Sequence, residues 1–143
     1  MNSWALIGTG FISGRHSKGI QSVGDELLAT CDIDPAKGAD FTSFDRLRAS
    51  NLWKRINCVA VCTPNDTHGD IVREALSDGK LVLCEKPLTI FDDYYGMEGV
   101  NVVLQLRYNP LVKALTINLP RNSHVSIKVV TYREKTYWDS WKG

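Results

Sequence analysis

Four short apolar runs, separated by polar stretches with helical periodicity, organise the first 87 residues of the chain. Each run stops near a glycine or a polar residue, a pattern typical of strands that are covered on both faces of a parallel sheet. The runs are Ser3–Ile7, Leu27–Cys31, Asn57–Cys62 and Leu81–Cys84. Their alternation with helices predicts an α/β fold, with a Rossmann-like parallel sheet and right-handed crossovers over residues 1–87.

Helical spacing predicts the crossovers between these runs. A helix is expected over residues 11–23 with Gly24 as its stop signal, and a shorter one around Phe44–Ala49. The residues on the buried face of the first helix are expected to be Ile12, His16, Ile20 and Val23.

The next predicted helix follows the third apolar run. Thr67 and Asp70 have the spacing of a capping box, and Gly79 suits the left-handed conformation that often ends a helix. Its apolar face is formed by Ile71, Val72, Ala75 and Leu76.

The pattern changes after residue 87. Asn101–Arg107 and Val125–Arg133 alternate between apolar and polar residues, as strands of a one-sided sheet do, and Pro110–Asn118 between them is a predicted helix. We therefore expect residues 88–143 to begin a second, open-faced and mostly antiparallel sheet.

Exposed edges of such a sheet favour pairing with another chain. We expect a homo-oligomer formed through residues 100–135, with packing against the first domain alone as the alternative. The alternating apolar residues concerned are Val102, Leu104, Val125, Ile127 and Val129.

Composition narrows the class of protein. The chain has 143 residues, 43% of them hydrophobic, with a formal net charge of +1. This balance gives no reason to expect a nucleic acid or an anionic membrane as a partner. No apolar run approaches the roughly 18 residues of a membrane span, and no signal-peptide pattern is present, so we expect a cytoplasmic protein.

Four cysteines occur, at positions 31, 58, 62 and 84. Cys58 and Cys62 lie about four strand residues apart, too far to share one metal ion if the segment is extended. We expect reduced thiols in the core and no metal site.

The segment Gly8-Thr-Gly10-Phe-Ile-Ser13 follows the first predicted strand and opens a helix. Gly8 permits a tight turn, and Gly10 lets the backbone approach a pyrophosphate at the helix N-terminus. Asp32 ends the second predicted strand, where a carboxylate accepts hydrogen bonds from a ribose and repels a 2′-phosphate. The pattern favours NAD over NADP, although Asp32 and Asp34 beside Pro35 could instead make only a turn.

Two further segments end predicted strands, where ligands bind in open α/β sheets. Thr63-Pro64-Asn65 leads to His68, and Glu85-Lys86-Pro87 ends the fourth run. Lys86 could exchange a proton or hydrogen bond with a substrate hydroxyl during hydride transfer, or be a solvated lysine beside a turn proline.

Four segments together resemble the glucose–fructose oxidoreductase/inositol dehydrogenase (Gfo/Idh/MocA) family. They are Gly8-Thr-Gly-Phe-Ile-Ser-Gly-Arg-His16, Cys-Asp-Ile-Asp-Pro35, Thr-Pro-Asn65 with His68, and Cys-Glu-Lys-Pro-Leu88. Leu-Gln-Leu-Arg-Tyr-Asn-Pro110 and Ser-Trp-Lys-Gly143 are similar to segments of its UDP-N-acetylglucosaminuronate 3-dehydrogenases, which oxidise the 3-hydroxyl of a sugar nucleotide.

The resemblance implies a role for each matching residue. Lys86 would be the catalytic residue. Substrate would be bound by Gln105, Arg107, Trp141 and Lys142. The cofactor NAD would be bound by Gly8, Gly10, Phe11, Ile12, Asp32, Thr63, Pro64, Asn65, His68 and Glu85.

The chain also departs from the family pattern. The Asp/His pair that completes the family's catalytic site is not recognisable, and the segments from Asp32 to Asn57 and from Leu88 to Asn101 are short. Two functions stay open: an NAD-dependent dehydrogenase acting on a sugar or sugar nucleotide, and a non-catalytic NAD-binding module with a regulatory or assembly role. A naturally short relative and a cut piece of a longer protein are both compatible with this pattern.

Overall fold

A computed structural model describes residues 1–90, 97–120, 122–124, 126, 128, 130, 132, 134 and 135. The chain divides into two compact units, Met1–Leu104 and Gln105–Gly143. The division after residue 87, as a functional boundary between cofactor and substrate domains, stays a prediction.

The first unit is built on a five-stranded parallel sheet in the order β2-β1-β3-β4-β5. Its strands are β1 (Ser3–Ile7), β2 (Glu26–Cys31), β3 (Cys58–Val61), β4 (Leu81–Cys84) and β5 (Val100–Val102). The predicted parallel Rossmann-like sheet is confirmed, because the four apolar runs form its first four strands. All four residues of β3 are buried, as expected for a central strand covered on both faces.

The position of β5 shows that one prediction, a second sheet beginning at Asn101, is wrong. Val100–Val102 pairs in parallel with β4, and the chain then forms a 3₁₀ helix over Gln105–Tyr108. The segment Asn101–Arg107 therefore does not open a second sheet. Its apolar–polar alternation reflects the position of β5 at the end of the described sheet, where Asn101 is exposed while Val100 and Val102 are half-buried.

The helices follow the predicted positions. They are α1 (Ser13–Ser22), α2 (Phe44–Arg48), α3 (His68–Ser77) and, in the second unit, α4 (Pro110–Asn118). Gly79 has the expected positive φ of 72°. None of the described helices is long and apolar enough to span a bilayer.

Two details at the helix ends differ from the prediction. Val23 lies just beyond α1 and is 71% exposed, so it does not belong to the buried face. Thr67 makes no capping bond to α3, because its hydroxyl contacts the Thr63 hydroxyl and the Pro64 carbonyl in the preceding turn. The capping box with Asp70 is therefore not formed.

The four cysteines belong to the core. All are free thiols and all are buried, as predicted. Burial, reinforced by the nearby charge of Glu85, raises the pKa of Cys62 and of Cys84 to about 12. These two thiols remain protonated at neutral pH and pack as small apolar groups.

The second unit begins at the 3₁₀ helix and continues into α4. Asn109 caps α4 by accepting a hydrogen bond from the Leu111 N–H at 2.9 Å, and Pro110 occupies the first helical position. Five residues singled out from the sequence lie outside the described residues: Val125, Ile127, Val129, Trp141 and Lys142.

The turn after β1 is pressed against the end of β3. Gly8 has a φ of +87°, and a Cβ built on it would lie 2.7 Å from the carbonyl carbon and oxygen of Cys62. The Gly8 N–H also donates to the Cys31 carbonyl at 2.7 Å. Both the conformation and the lack of space therefore demand glycine at this position.

Gly8→Ala is expected to lower the free energy of unfolding by about 2 kcal/mol or more, because the new methyl group meets backbone that cannot rotate away. Urea unfolding followed by circular dichroism measures this change. Gly10→Ala is the matched control, since a Cβ at Gly10 meets nothing within 4 Å. Equal unfolding midpoints for the two variants would contradict the steric argument.

Candidate functional site

The carboxyl ends of β1, β3 and β4 meet at one edge of the sheet. The chain passes from β1 to β2 on one side and resumes at β3 on the other, so the strand order reverses between β1 and β3. In doubly wound sheets the ligand binds beside such a reversal. Three of the predicted segments lie at this edge, beginning at Gly8, Thr63 and Glu85.

The glycine turn leaves space above α1. A Cβ on Gly10 would meet no protein atom within 4 Å, so packing within the chain does not explain the glycine. No side chain caps the start of α1, whose N-cap residue is Ile12. An open turn leading into a helix N-terminus is suited to a diphosphate, which backbone N–H groups and the helix dipole stabilise.

Side chains of the same turn are fixed by local contacts. Ser13 is buried, and its hydroxyl donates to the Gly10 carbonyl at 2.6 Å. Ile12 packs against the buried cluster that contains Leu6, whereas Phe11 is 81% exposed. Serine at the third position of the glycine motif is therefore accommodated, because its polar group has a partner.

Asp32 follows β2 and is bound to the glycine turn. Its Oδ2 accepts hydrogen bonds from the Thr9 N–H at 2.7 Å and the Thr9 hydroxyl at 2.9 Å, and its Oδ1 accepts from the Asp34 N–H at 3.0 Å. Burial acts to raise the pKa of Asp32, but these hydrogen bonds and the charge of Lys37 outweigh it and hold the pKa below its ordinary value. The group is therefore a carboxylate at neutral pH.

The segment after Asp32 also forms the turn that was the alternative interpretation of its two aspartates. Asp34 Oδ1 accepts from the Ala36 N–H at 2.9 Å and begins a 3₁₀ helix over Pro35–Lys37. Asp34 makes the turn while Asp32 contacts the glycine turn, so the two carboxylates have separate roles.

The segment after β3 forms a compact turn. Pro64 is exposed, Thr63 and Asn65 are half-buried, and a 3₁₀ helix covers Asn65–Thr67. These side chains lie at the reversal point of the sheet. Their individual contacts with a cofactor stay a prediction.

His68 is fully buried at the start of α3. Its Nδ1 lies 2.7 Å from the Pro87 carbonyl oxygen and its Nε2 lies 2.8 Å from the Thr63 carbonyl oxygen. The ring thus joins the turn after β3 to the turn after β4. Since no part of it is exposed, its predicted role beside the cofactor would be exercised through these two turns.

Glu85 and Lys86 follow β4. Glu85 Oε1 lies 2.8 Å from His16 Nε2, and these side chains are only 14% and 11% exposed. Glu85 Oε2 accepts from the Lys86 N–H at 3.3 Å. Lys86 itself is exposed, and its peptide bond to Pro87 is cis.

The predicted substrate residues fall in the second unit. Gln105 and Arg107 are exposed in the 3₁₀ helix, while Trp141 and Lys142 lie outside the described residues. Their roles stay predictions. In the part of the chain that the structure describes, no group of three or more His, Cys, Asp or Glu side chains is arranged to hold a metal ion.

Sequence reasoning missed three contacts at this site, those of Thr9, His16 and His68. Thr9 lies between the two glycines of the motif, and nothing else in the sequence indicates its two hydrogen bonds to Asp32. His16 was aligned with Ile12 and Ile20 on the buried face of α1. A histidine among apolar residues of a helix face indicates a buried polar partner, but it does not identify Glu85 as that partner.

The sequence of this chain matches a known protein family. Residues 3–106 match the model of the "Oxidoreductase family, NAD-binding Rossmann fold". The inositol 2-dehydrogenase of Rubrobacter xylanophilus is 33% identical over 127 residues, which cover 73% of this chain and 35% of that protein. The inositol 2-dehydrogenase of Rhizobium meliloti is 31% identical over 96 residues, 61% of this chain and 28% of that protein.

A solved structure extends the similarity through the chain. The WlbA (WbpB) dehydrogenase from Thermus thermophilus, in complex with NAD and UDP-GlcNAcA, superposes with a TM-score of 0.79 at 31% identity. The superposed region covers 99% of this chain and 55% of the dehydrogenase chain. The present chain thus spans about a third of the length of the curated relatives and about half of this dehydrogenase. With more than half of its residues matched by the family model, the chain belongs to the Gfo/Idh/MocA oxidoreductase family, whose Rossmann fold binds NAD.

Proposed function

We propose that this chain provides the cofactor site and the catalytic lysine of an NAD-dependent dehydrogenase acting on a sugar or sugar nucleotide. The observation that carries the proposal is the meeting of three segments at one sheet edge: the open glycine turn, the carboxylate of Asp32 and the Glu85-Lys86 pair. Cofactor and lysine would then lie at the edge where doubly wound folds bind their ligands.

The described residues fit NAD in two respects. The glycine turn is open at Gly10 and leads into a helix with no side-chain cap, which suits the diphosphate. Asp32 accepts three hydrogen bonds within the chain, and a carboxylate has about four acceptor positions, so one remains for a ribose hydroxyl. Its negative charge would oppose a 2′-phosphate.

Asp32→Asn is expected to weaken binding of NAD and NADH by about tenfold, because an amide nitrogen replaces one of the two acceptor oxygens. Calorimetric titration of the purified chain measures this effect. Asp45→Asn, an exposed residue on α2, is the control and should bind like the unaltered chain. Equal affinities for the unaltered chain and Asp32→Asn would contradict the assigned role of Asp32.

The proposed substrate is more specific than what family membership implies. We assign the reaction to oxidation of the 3-hydroxyl of a UDP-uronic acid, supported by the similarity to the Thermus thermophilus dehydrogenase in complex with NAD and UDP-GlcNAcA. Bound NAD would supply the hydride acceptor. Lys86 would hold or take the hydroxyl proton, while Gln105, Arg107, Trp141 and Lys142 would bind the substrate.

Lys86→Ala is expected to lower the rate of NADH formation from UDP-GlcNAcA by about 10²- to 10⁴-fold, the usual contribution of a proton-transferring group. Absorbance of NADH measures the rate, and NAD affinity should change little. Lys18→Ala, an exposed lysine of α1, is the control. NAD binding without turnover in the unaltered chain would favour the non-catalytic NAD-binding module instead.

We also propose that the chain forms a homo-oligomer through residues 100–135. The described residues of this segment expose several large apolar side chains, at 40–74% of their surface: Leu104, Leu106, Tyr108, Leu111 and Leu115. Covering such side chains removes apolar surface from water. Sedimentation should show a species larger than the 16.0 kDa monomer, and Leu111→Lys should shift it toward the monomer. A monomer at all concentrations would refute the proposal.

A further inference from the structure

We propose that His16 and His68 are positioning residues that hold the backbone of Lys86 from both sides. The inference deepens the proposed function, because it assumes that Lys86 is the catalytic lysine. Its basis is a juxtaposition: the two neighbours of Lys86 in the chain, Glu85 and Pro87, are each contacted by a histidine from a different helix.

His16 holds the residue before the lysine. It lies on α1, and its Nε2 is 2.8 Å from Glu85 Oε1. Both side chains are nearly buried, so solvent competes little for this contact. The second carboxylate oxygen accepts from the backbone N–H of Lys86, and the pair therefore connects α1 to the lysine's own peptide group.

His68 holds the residue after the lysine. Its Nδ1 contacts the Pro87 carbonyl oxygen and its Nε2 contacts the Thr63 carbonyl oxygen, with the ring completely buried. Each ring nitrogen therefore lies within hydrogen-bond distance of a main-chain carbonyl, one in the turn after β4 and one in the turn after β3.

The lysine between these two anchors is exposed. The contacts hold the carboxylate of Glu85, which accepts from the Lys86 N–H, and the main-chain carbonyl of Pro87, and they leave the Lys86 side chain exposed to a substrate. Fixing the base of a long side chain reduces the conformations that it must lose on reaching its target. The two histidines would therefore act on the placement of the lysine amine and not on proton transfer itself.

Each anchoring helix begins at a predicted cofactor-binding turn. α1 follows the turn of Gly8 and Gly10, and α3 follows the turn of Thr63 to Asn65. The two histidines therefore connect the segment that carries Lys86 to the helices that follow these turns.

Hydrogen exchange tests the anchors without requiring activity. In His16→Leu and in His68→Leu, the amides of Glu85 and Lys86 should exchange at least about tenfold faster than in the unaltered chain, while β1 keeps its protection. His16→Gln, which keeps a donor toward Glu85, should lie between, and His124→Gln, an exposed histidine, should have no effect. Unchanged exchange at Glu85 and Lys86 in the folded leucine variants would overturn the proposal.

Turnover provides the readout specific to positioning. With UDP-GlcNAcA and NAD, His16→Leu should lower kcat by roughly 10- to 100-fold and change NADH affinity by less than about threefold. His16→Gln should recover part of the loss. A parallel fall in kcat and affinity would overturn the positioning role. Absence of turnover in the unaltered chain would instead count against the proposed function, and the exchange measurement would still decide whether the two histidines hold Glu85 and Pro87.

Discussion

The contact between Gly8 and the end of β3 is the constraint on which the rest of the site depends. The turn after β1 passes so close to Cys62 that no Cβ fits, and its N–H is bonded to Cys31 at the end of β2. Three strand ends are thereby brought together at the point where the strand order reverses. α1 starts from this turn, so the direction of its N-terminus is set by backbone packing and not by a side-chain cap.

Polar side chains complete the same edge by joining neighbouring segments. Asp32 joins the end of β2 to the glycine turn through Thr9, His16 joins α1 to Glu85, and His68 joins the turns after β3 and β4. Each contact satisfies a buried or half-buried polar group that would otherwise be costly. A ligand at this edge therefore meets groups that are already held in place, which lowers the ordering cost of binding.

Parts of this arrangement were predictable from the sequence because they depend on local pattern. Apolar runs bounded by glycine or polar residues identified four strands, and Gly79 followed the end of α3 as expected. The sheet to which Asn101–Arg107 contributes was not predictable, because a strand at the end of a parallel sheet shows the same alternation as a strand of a one-sided sheet. The capping box also failed, because the Thr67 hydroxyl found nearer acceptors in the preceding turn.

The site itself was predictable in its location but not in its contacts. Gly8, Thr63 and Glu85 follow the ends of β1, β3 and β4, which are neighbours in the sheet, and parallel strands bring such ends together. Glu85 is 69 residues from His16 and Pro87 is 19 residues from His68, so no local spacing could identify these two partners. In the proposed site two roles fall on different residues: the glycine turn and Asp32 would bind the cofactor, while the histidines would fix the segment that carries the lysine. When cofactor binding and placement of the lysine depend on different residues, a variant can lose turnover while it still binds NAD. Affinity and rate therefore have to be measured on the same variants.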